Sequence, residues 1–183
     1  MNYLIVVDMQ NDFVTGALGT KEAEAAVPRV AERLAAALDR DEEILFTRDT
    51  HETDYLDTQE GRKLPVPHCV RGTEGWEIVP RLAEYAAGRT PIDKPTFGSR
   101  YLGAVLKARD EDLRKQGGPG VEKVTLIGLC TDICVISNAL LIKAFLPEAE
   151  VAVDAACCAG VTPESHKNAL EAMKMCQITI ENG

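Results

Sequence analysis

Four predicted strands end in residues with reactive side chains, namely Asp8, Asp49, Lys94 and Cys134, and Asp8 directly follows five apolar residues. Apolar runs of this kind are typical of buried strands, so each side chain is predicted to stand near a strand's carboxyl end. Parallel strands bring these ends to one edge of the sheet, where α/β proteins bind ligands. We therefore predict nucleophilic catalysis, in which Asp8 accepts the proton of Cys134 and Lys94 offsets the carboxylate charge.

The segment before Cys134 predicts a strand, a turn and the start of a helix. Residues 124–127 are apolar and β-favouring, Gly128 closes the run, and Thr131 is a suitable N-cap. Cys134 then falls in the first helical turn, where free backbone N–H groups and the helix dipole stabilise a thiolate. The N–H groups of Cys130 and Cys134 are the candidate donors of an oxyanion hole.

Each of these residues also has an ordinary structural interpretation. Most cysteines are small buried hydrophobic residues, which is the alternative for Cys134. Asp8 alone is also consistent with a turn or cap residue, and Lys94 with a solvated surface lysine. A catalytic triad of the three explains their common position at strand ends better than three separate roles do.

A second cluster of polar residues lies in the long segment 48–80, which is rich in Pro, Gly and Asp. A loop of this length inside a compact domain is usually functional. Two of the three histidines fall here, and imidazole with carboxylate suits Zn²⁺ best, with Mn²⁺ and Fe²⁺ as alternatives. The predicted metal ligands are Asp49, His51, Glu60 and His68.

The pattern leaves the fourth metal ligand open. Asp54 and Asp57 are alternatives to Glu60, and Cys69 is either a ligand or a residue that packs behind His68. Acidic loops also carry scattered Asp, Glu and His residues without any metal, so the spacing alone does not decide.

Composition limits the function classes. The chain has 183 residues, of which 45% are hydrophobic and 27% charged, and its net charge of −9 argues against nucleic acid or anionic membrane as a partner. No apolar run reaches the ~18 residues that a membrane span needs. The first residues read as a strand and not as a signal peptide, so six reduced cysteines in the cytoplasm are expected.

Strand and helix patterns alternate along the whole chain. This order predicts one domain over residues 1–183, an α/β fold in which helices cover both faces of a mostly parallel, six-stranded sheet in a three-layer αβα sandwich. The predicted strands are 3–7, 43–47, 90–94, 123–128, 149–153 and 176–180; the predicted helices are 21–39, 82–87, 100–116, 132–145 and 163–175.

Several segments in this order resemble the isochorismatase-like cysteine hydrolases, and among these the nicotinamidase group. They are Val-Asp-Met-Gln-Asn-Asp-Phe at 7–13, Thr-Arg-Asp-Thr-His at 47–51, Pro-Val-Pro-His-Cys-Val-Arg-Gly-Thr at 65–73, Lys94 with Phe97-Gly98, and Gly-Leu-Cys-Thr-Asp-Ile-Cys-Val at 128–135.

The resemblance implies roles for individual residues. It implies Asp8, Lys94 and Cys134 as the triad and a cis peptide bond before Cys130. It also implies a metal held by Asp49, His51 and His68, with Glu60 at the position that some relatives use for a further ligand. Phe13, Leu64 and Phe97 are the expected substrate contacts; Leu64 stands where many relatives carry an aromatic residue, and Trp76 is either its substitute or a packing residue.

The resemblance further implies hydrolysis of nicotinamide to nicotinate and ammonia, a step of NAD salvage, by a homo-oligomer with a small amide as its substrate. The runner-up is a related amidase for ureido or carbamoyl amides. Isochorismatase activity is a poorer fit, because cleavage of a vinyl ether needs no thiol nucleophile. A different class altogether is a redox or non-catalytic protein in which Cys130 and Cys134 form a thiol switch.

Overall fold

The computed structural model describes residues 1–183 as a six-stranded sheet with helices on both faces. Its strands are β1 (Asn2–Val7), β2 (Glu43–Asp49), β3 (Ile92–Lys94), β4 (Lys123–Leu129), β5 (Glu150–Ala159) and β6 (Thr179–Glu181). Its helices are α1 (Asn11–Val14), α2 (Lys21–Asp39), α3 (Gln59–Lys63), α4 (Ala83–Ala86), α5 (Arg100–Lys115), α6 (Ile136–Phe145) and α7 (Pro163–Met175).

The strand order across the sheet is β3-β2-β1-β4-β5-β6, and all five neighbouring pairs are parallel. The predicted α/β class with a parallel six-stranded sheet is therefore confirmed. The order reverses beside β1, so β1 and β4 lie at the centre of the sheet and define the point where such folds bind ligands.

The alternation of side chains along β1 creates two separate cores. Leu4 and Val6 pack on one face against α2, whereas Ile5 and Val7 pack on the other face against α5, α6 and α7. Because both faces are covered, this central strand is apolar throughout instead of alternating with polar residues. No helix combines the length and the apolar character needed to cross a membrane.

The predicted strand 176–180 begins only at Thr179, because Cys176 and Gln177 form the turn that ends α7, and the predicted strand 90–94 begins at Ile92. Larger differences occur in three other places. Strand β5 does not end at residue 153 but continues to Ala159, because small alanine and cysteine side chains keep its second half buried beside Gly128 and Leu129. The predicted helix at 132–145 begins as a π-helical turn, Thr131–Val135, before α6. The segment 48–80 contains α3 and three 3₁₀ turns, Tyr55–Asp57, Glu74–Trp76 and Pro80–Leu82.

Gly128 determines how closely the two central strands approach each other. Its φ of +113° is open to glycine only, and a Cβ atom there would lie 2.1 Å from the carbonyl oxygen of Val7. Gly88 also has a positive φ, +75°, but a Cβ atom there would meet no atom within 4 Å.

This difference makes the two glycines a matched pair of test positions. Gly88→Ala should lower the free energy of unfolding by about 1–2 kcal/mol through backbone strain alone. Gly128→Ala should cost about 1–3 kcal/mol more, because its methyl group overlaps a backbone atom that cannot move freely. Urea unfolding of both variants measures the difference; equal losses would contradict the close approach of β1 and β4.

Candidate active site and metal centre

Lys94 lies at the centre of the polar groups on the carboxyl edge of the sheet. Its ammonium nitrogen, Nζ, is 2.6 Å from Oδ2 of Asp8, 3.3 Å from Oδ1 of Asp49 and 3.4 Å from the sulfur of Cys134. The side chain is only 1% exposed. The structure thus brings together the three predicted triad residues, and it adds Asp49 as a second carboxylate on the same ammonium group.

Strand register explains this convergence. Asp49 and Lys94 are paired residues at the ends of β2 and β3, and Asp8 follows β1 directly. Asp8 has a left-handed backbone, with φ +48°, and the Thr47 hydroxyl donates a 2.6 Å hydrogen bond to its Oδ1. The carboxylate is therefore held from one side by Thr47 and from the other by Lys94.

The charges of the site shift the pKa values of its members. Burial raises the pKa of Asp8 above its ordinary value, although the positive charge of Lys94 acts in the opposite direction. Burial lowers the pKa of Lys94, but the negative charges around it, that of Asp8 foremost, together raise the pKa above its ordinary value, so the ammonium stays protonated. A carboxylate with a raised pKa is a better match for accepting a proton from a thiol.

Cys134 does not behave as the helix position suggested. Burial, followed by the negative charge of Asp8, raises the pKa of its thiol well above the ordinary value, and Lys94 only partly compensates. The prediction of a stabilised thiolate is therefore wrong for the free protein, because Cys134 is buried and two carboxylates lie close to it. The resting form is a thiol, which makes a general base necessary.

The turn before Cys134 differs from the predicted cap. Cys130, not Thr131, precedes the helical residues in an extended conformation, and the Thr131 hydroxyl lies 2.7 Å from Nδ1 of His166. The Leu129–Cys130 peptide bond is cis, as the family resemblance implied. The backbone N–H of Cys130 donates to no protein acceptor, so it remains available to a substrate oxygen.

The four predicted metal ligands lie together. One ligand atom from each of Asp49, His51, Glu60 and His68 falls within 4.8 Å of the others. Nε2 of His51 is 3.1 Å from Oδ2 of Asp49 and 3.6 Å from Oε1 of Glu60, and Nε2 of His68 is 3.5 Å from the same Asp49 oxygen.

The donor set fits a divalent cation. Nδ1 of His68 lies 2.8 Å from the carbonyl oxygen of Val66, which fixes a proton on that nitrogen, so Nε2, which faces Asp49 in the metal-free site, is the nitrogen that can bind a cation once any proton on it is displaced. Burial raises the pKa of Asp49, but hydrogen bonds from the two histidines lower it well below its usual range, so the carboxylate is charged. Two imidazoles and two carboxylates suit Zn²⁺, Mn²⁺ or Fe²⁺.

Local structure selects Glu60 from the three acidic alternatives. The Thr58 hydroxyl accepts the Gly61 N–H and caps α3, which places Glu60 in its first turn beside His51. Asp54 precedes the 3₁₀ turn Tyr55–Asp57 and Asp57 ends it, and neither belongs to the four-residue group.

Gln10 fixes the backbone that carries Asp49. Its side-chain oxygen accepts the Asp49 N–H at 2.7 Å, and its side-chain nitrogen donates to the carbonyl oxygens of Asp49 at 2.9 Å and Trp76 at 2.8 Å. Gln10 is fully buried, and no role was predicted for it. Trp76 is a packing residue, because its ring stacks on the Arg48 guanidinium group, 3.5 Å away, outside the cavity beside Cys134.

The sulfur of Cys134 faces an apolar cavity of about 250 Å³. Phe13 and Leu64, both predicted substrate contacts, line it, but Phe97 does not: that side chain is 44% exposed, and only its carbonyl oxygen contacts the site region, through Asn138. The remaining walls come from His68, the π-helical turn and segments far away in the sequence. Leu18, Thr20, Ala23, Leu129, Ile133, Gly160 and Val161 are wall residues that sequence reasoning missed.

The sheet order and the polar residues at its carboxyl edge are those of a hydrolase of the isochorismatase type. The chain belongs to this family: the model of the isochorismatase domain matches residues 2–182. Like the relatives described next, it is a hydrolase that acts on an amide bond.

The similar proteins include amidases of known name. The nicotinamidase/pyrazinamidase of Mycobacterium tuberculosis is 30% identical over 192 aligned positions, covering 98% of each chain. The nicotinamidase of Saccharomyces cerevisiae is 27% identical over 175 positions, covering 76% of this chain and 80% of that protein. The crystal structure of the Pyrococcus horikoshii pyrazinamidase in complex with zinc has a TM-score of 0.75 at 30% identity, covering 98% and 97% of the two chains.

The charge of Asp8 provides a test of the site's electrostatics. Asp8→Asn should lower the pKa of Cys134, since the nearer of the two carboxylate charges on Lys94 is then removed and only Asp49 still competes with the thiolate for that ammonium. Alkylation of Cys134 by iodoacetamide, followed by mass spectrometry across a pH series, should therefore become faster at neutral pH.

Asp154→Asn is the matched control for this substitution. Asp154 is also a buried carboxylate, but its charge acts on Cys157, so its removal should leave the Cys134 profile unchanged. An unchanged Cys134 profile in Asp8→Asn would show that Asp8 does not control the thiol.

The metal ligands can be tested in the same way. Glu60→Gln should weaken Zn²⁺ binding by about tenfold or more, because a charged ligand becomes neutral. Asp57→Asn should change the affinity by no more than about twofold, as expected for a surface site. Titration against a competing chromophoric chelator measures both constants. A larger loss in Asp57→Asn than in Glu60→Gln would assign the fourth ligand to Asp57.

Proposed function

We propose that the protein hydrolyses nicotinamide to nicotinate and ammonia through a thioester on Cys134. The observation that carries the proposal is the apolar cavity. It is lined both by the nucleophile Cys134 and by His68, one of the four candidate metal ligands. A flat, neutral ring fits such walls, with its carboxamide at the sulfur and its ring nitrogen toward the metal group. The named relatives support the same substrate.

Acylation begins with the transfer of the Cys134 proton to Asp8. The sulfur then attacks the carboxamide carbon, and the N–H groups of Cys130 and Cys134 bind the developing oxyanion. Lys94 remains protonated and stabilises the thiolate, from which its Nζ is 3.4 Å away in the resting site. Asp8 returns its proton to the amide nitrogen, the C–N bond breaks, and ammonia leaves a nicotinoyl thioester.

Deacylation repeats these steps with water. Asp8 accepts a proton from a water molecule while the water oxygen attacks the thioester carbon. The N–H groups of Cys130 and Cys134 again bind the oxyanion. The C–S bond breaks, Cys134 takes the proton back from Asp8, and nicotinate leaves. Across both halves, one amide and one water give one carboxylic acid and one ammonia.

The residues Asp49, His51, Glu60 and His68 are proposed to hold the divalent cation, with Zn²⁺ favoured by the two imidazoles. These residues would hold the cation beside His68, where it would act as a Lewis acid toward the ring nitrogen of the substrate. Asp49 joins the two parts of the site, because Oδ2 faces the histidines and Oδ1 faces Lys94.

The alternative substrates fit the cavity less well. Many ureido and carbamoyl compounds carry a carboxylate, and no lysine or arginine lines the cavity to pair with one.

A thiol switch of Cys130 and Cys134 is disfavoured too, because burial raises the pKa of Cys130 to about 12 and that of Cys134 well above its ordinary value. Redox sensors use exposed thiols of low pKa.

Three further expectations stay predictions: a cytoplasmic location, a role in NAD salvage and assembly into a homo-oligomer.

Ammonia release from nicotinamide tests the proposal. Cys134→Ala should reduce kcat by about 10⁴-fold or more, since the nucleophile is lost. Cys176→Ala, a change at the exposed cysteine, should leave the rate unchanged. Zinc-loaded protein that releases ammonia from a ureido compound but not from nicotinamide would replace the proposed substrate, and equal rates in both variants would exclude Cys134 as nucleophile.

A further inference from the structure

A second cavity lies on the other side of the metal-ligand group, and its chemistry is opposite to that of the first. It measures about 550 Å³, and none of the residues that line it is hydrophobic. His51 and Glu60 line this polar cavity, whereas His68 lines the apolar one. Three ligands of one metal group therefore line two different cavities, while the buried Asp49 lines neither.

The wall of the polar cavity has an excess of negative charge. Glu52, Asp54, Glu60 and Asp93 line it, against a single positive residue, Arg71. Clefts lined by one sign of charge raise the local concentration of the opposite ion and accelerate its binding. The apolar cavity contains no acidic residue, so a hydrated divalent cation would lose water there without compensation.

The ligands also differ in how far solvent reaches them. The side chain of Glu60 is 22% exposed, whereas those of Asp49 and His68 are 3% and 2% exposed. Glu60 lines only the polar cavity, so the solvent-accessible ligand of the group is on that side.

Arg71 links two acidic residues of this cavity. Its Nε donates to Glu52 at 3.0 Å and its Nη1 donates to Asp93 at 2.8 Å. The guanidinium neutralises part of the charge that would draw a cation inward, and it remains 48% exposed. The guanidinium forms no hydrogen bond or ion pair with the four ligands, and only the Arg71 backbone N–H reaches one of them, donating to the carbonyl oxygen of His51 at 2.9 Å.

We propose that the polar cavity is the route by which the divalent cation reaches and leaves its four ligands, and that the Glu52–Arg71–Asp93 bridge restricts this route. The substrate uses the apolar cavity, so metal exchange and substrate binding take place from opposite sides. This proposal rests on the proposed function only in that Asp49, His51, Glu60 and His68 bind a divalent cation, and it does not depend on which amide is the substrate.

Metal exchange rates test the route directly. Co²⁺ uptake by the metal-free protein is followed by stopped-flow absorption, and Zn²⁺ loss by transfer to a chromophoric chelator. Arg71→Ala should increase the uptake rate by about three- to tenfold at low ionic strength, with the gain shrinking near 1 M salt. The loss rate should rise as well, while the absorption spectrum of the Co²⁺ protein stays unchanged because the ligands are intact.

Two bulky substitutions distinguish the two cavities. Asp54→Trp should slow both uptake and loss relative to Asp54→Asn, which removes the same charge without filling the polar cavity. Val161→Trp narrows the apolar cavity, so it should raise the KM for the amide and leave both metal rates unchanged.

The opposite pattern would overturn the proposal. Metal rates that respond to Val161→Trp and not to Arg71→Ala or Asp54→Trp would place the route in the apolar cavity. A wild-type protein that binds neither Co²⁺ nor Zn²⁺ would overturn it too. Neither result depends on ammonia release from nicotinamide, which judges the proposed activity separately.

Discussion

The buried ammonium of Lys94 is the interaction on which the site depends. Three charged groups, Asp8, Asp49 and Lys94, are removed from water at the end of the sheet, and each would be unfavourable there alone. Breaking a buried ion pair of this kind typically costs about 3–5 kcal/mol, because the remaining charge has no partner. The strand ends are therefore held together by the same contacts that place the general base beside the thiol.

This arrangement also explains why Cys134 is a protonated thiol at rest. Two carboxylates share one ammonium group, so the immediate surroundings of the sulfur are net negative, and burial adds to the effect. The thiolate forms only when Asp8 accepts its proton, which removes one negative charge as another appears. Proton transfer within the site thus changes the charge distribution but not the total charge in the enclosed space.

The sequence alone could predict the site residues whose place depends only on the end of a strand. Asp8, Asp49 and Lys94 stand at the carboxyl ends of parallel strands, so their convergence could be predicted from the order of strands and helices along the chain. Glu60 could not be chosen over Asp57 without the helical turn that the Thr58 cap creates.

Residues whose role depends on packing between distant segments of the chain could not be predicted from the sequence. The wall residues Thr20 and Val161 meet beside Cys134 only because α2 and the end of β5 pack together. The thiol pKa depends on how completely the fold encloses Cys134, and the helix position alone therefore gave the wrong direction.

The central claim is that an acyl group passes through Cys134, and partitioning between water and hydroxylamine tests it most directly. Nicotinamide and methyl nicotinate would be hydrolysed in the presence of hydroxylamine, and the ratio of nicotinohydroxamate to nicotinate measured for each. A common thioester predicts the same ratio from both substrates, because the leaving group has departed before the choice is made. Ratios that differ between the two substrates, or nicotinate alone from both, would contradict the account.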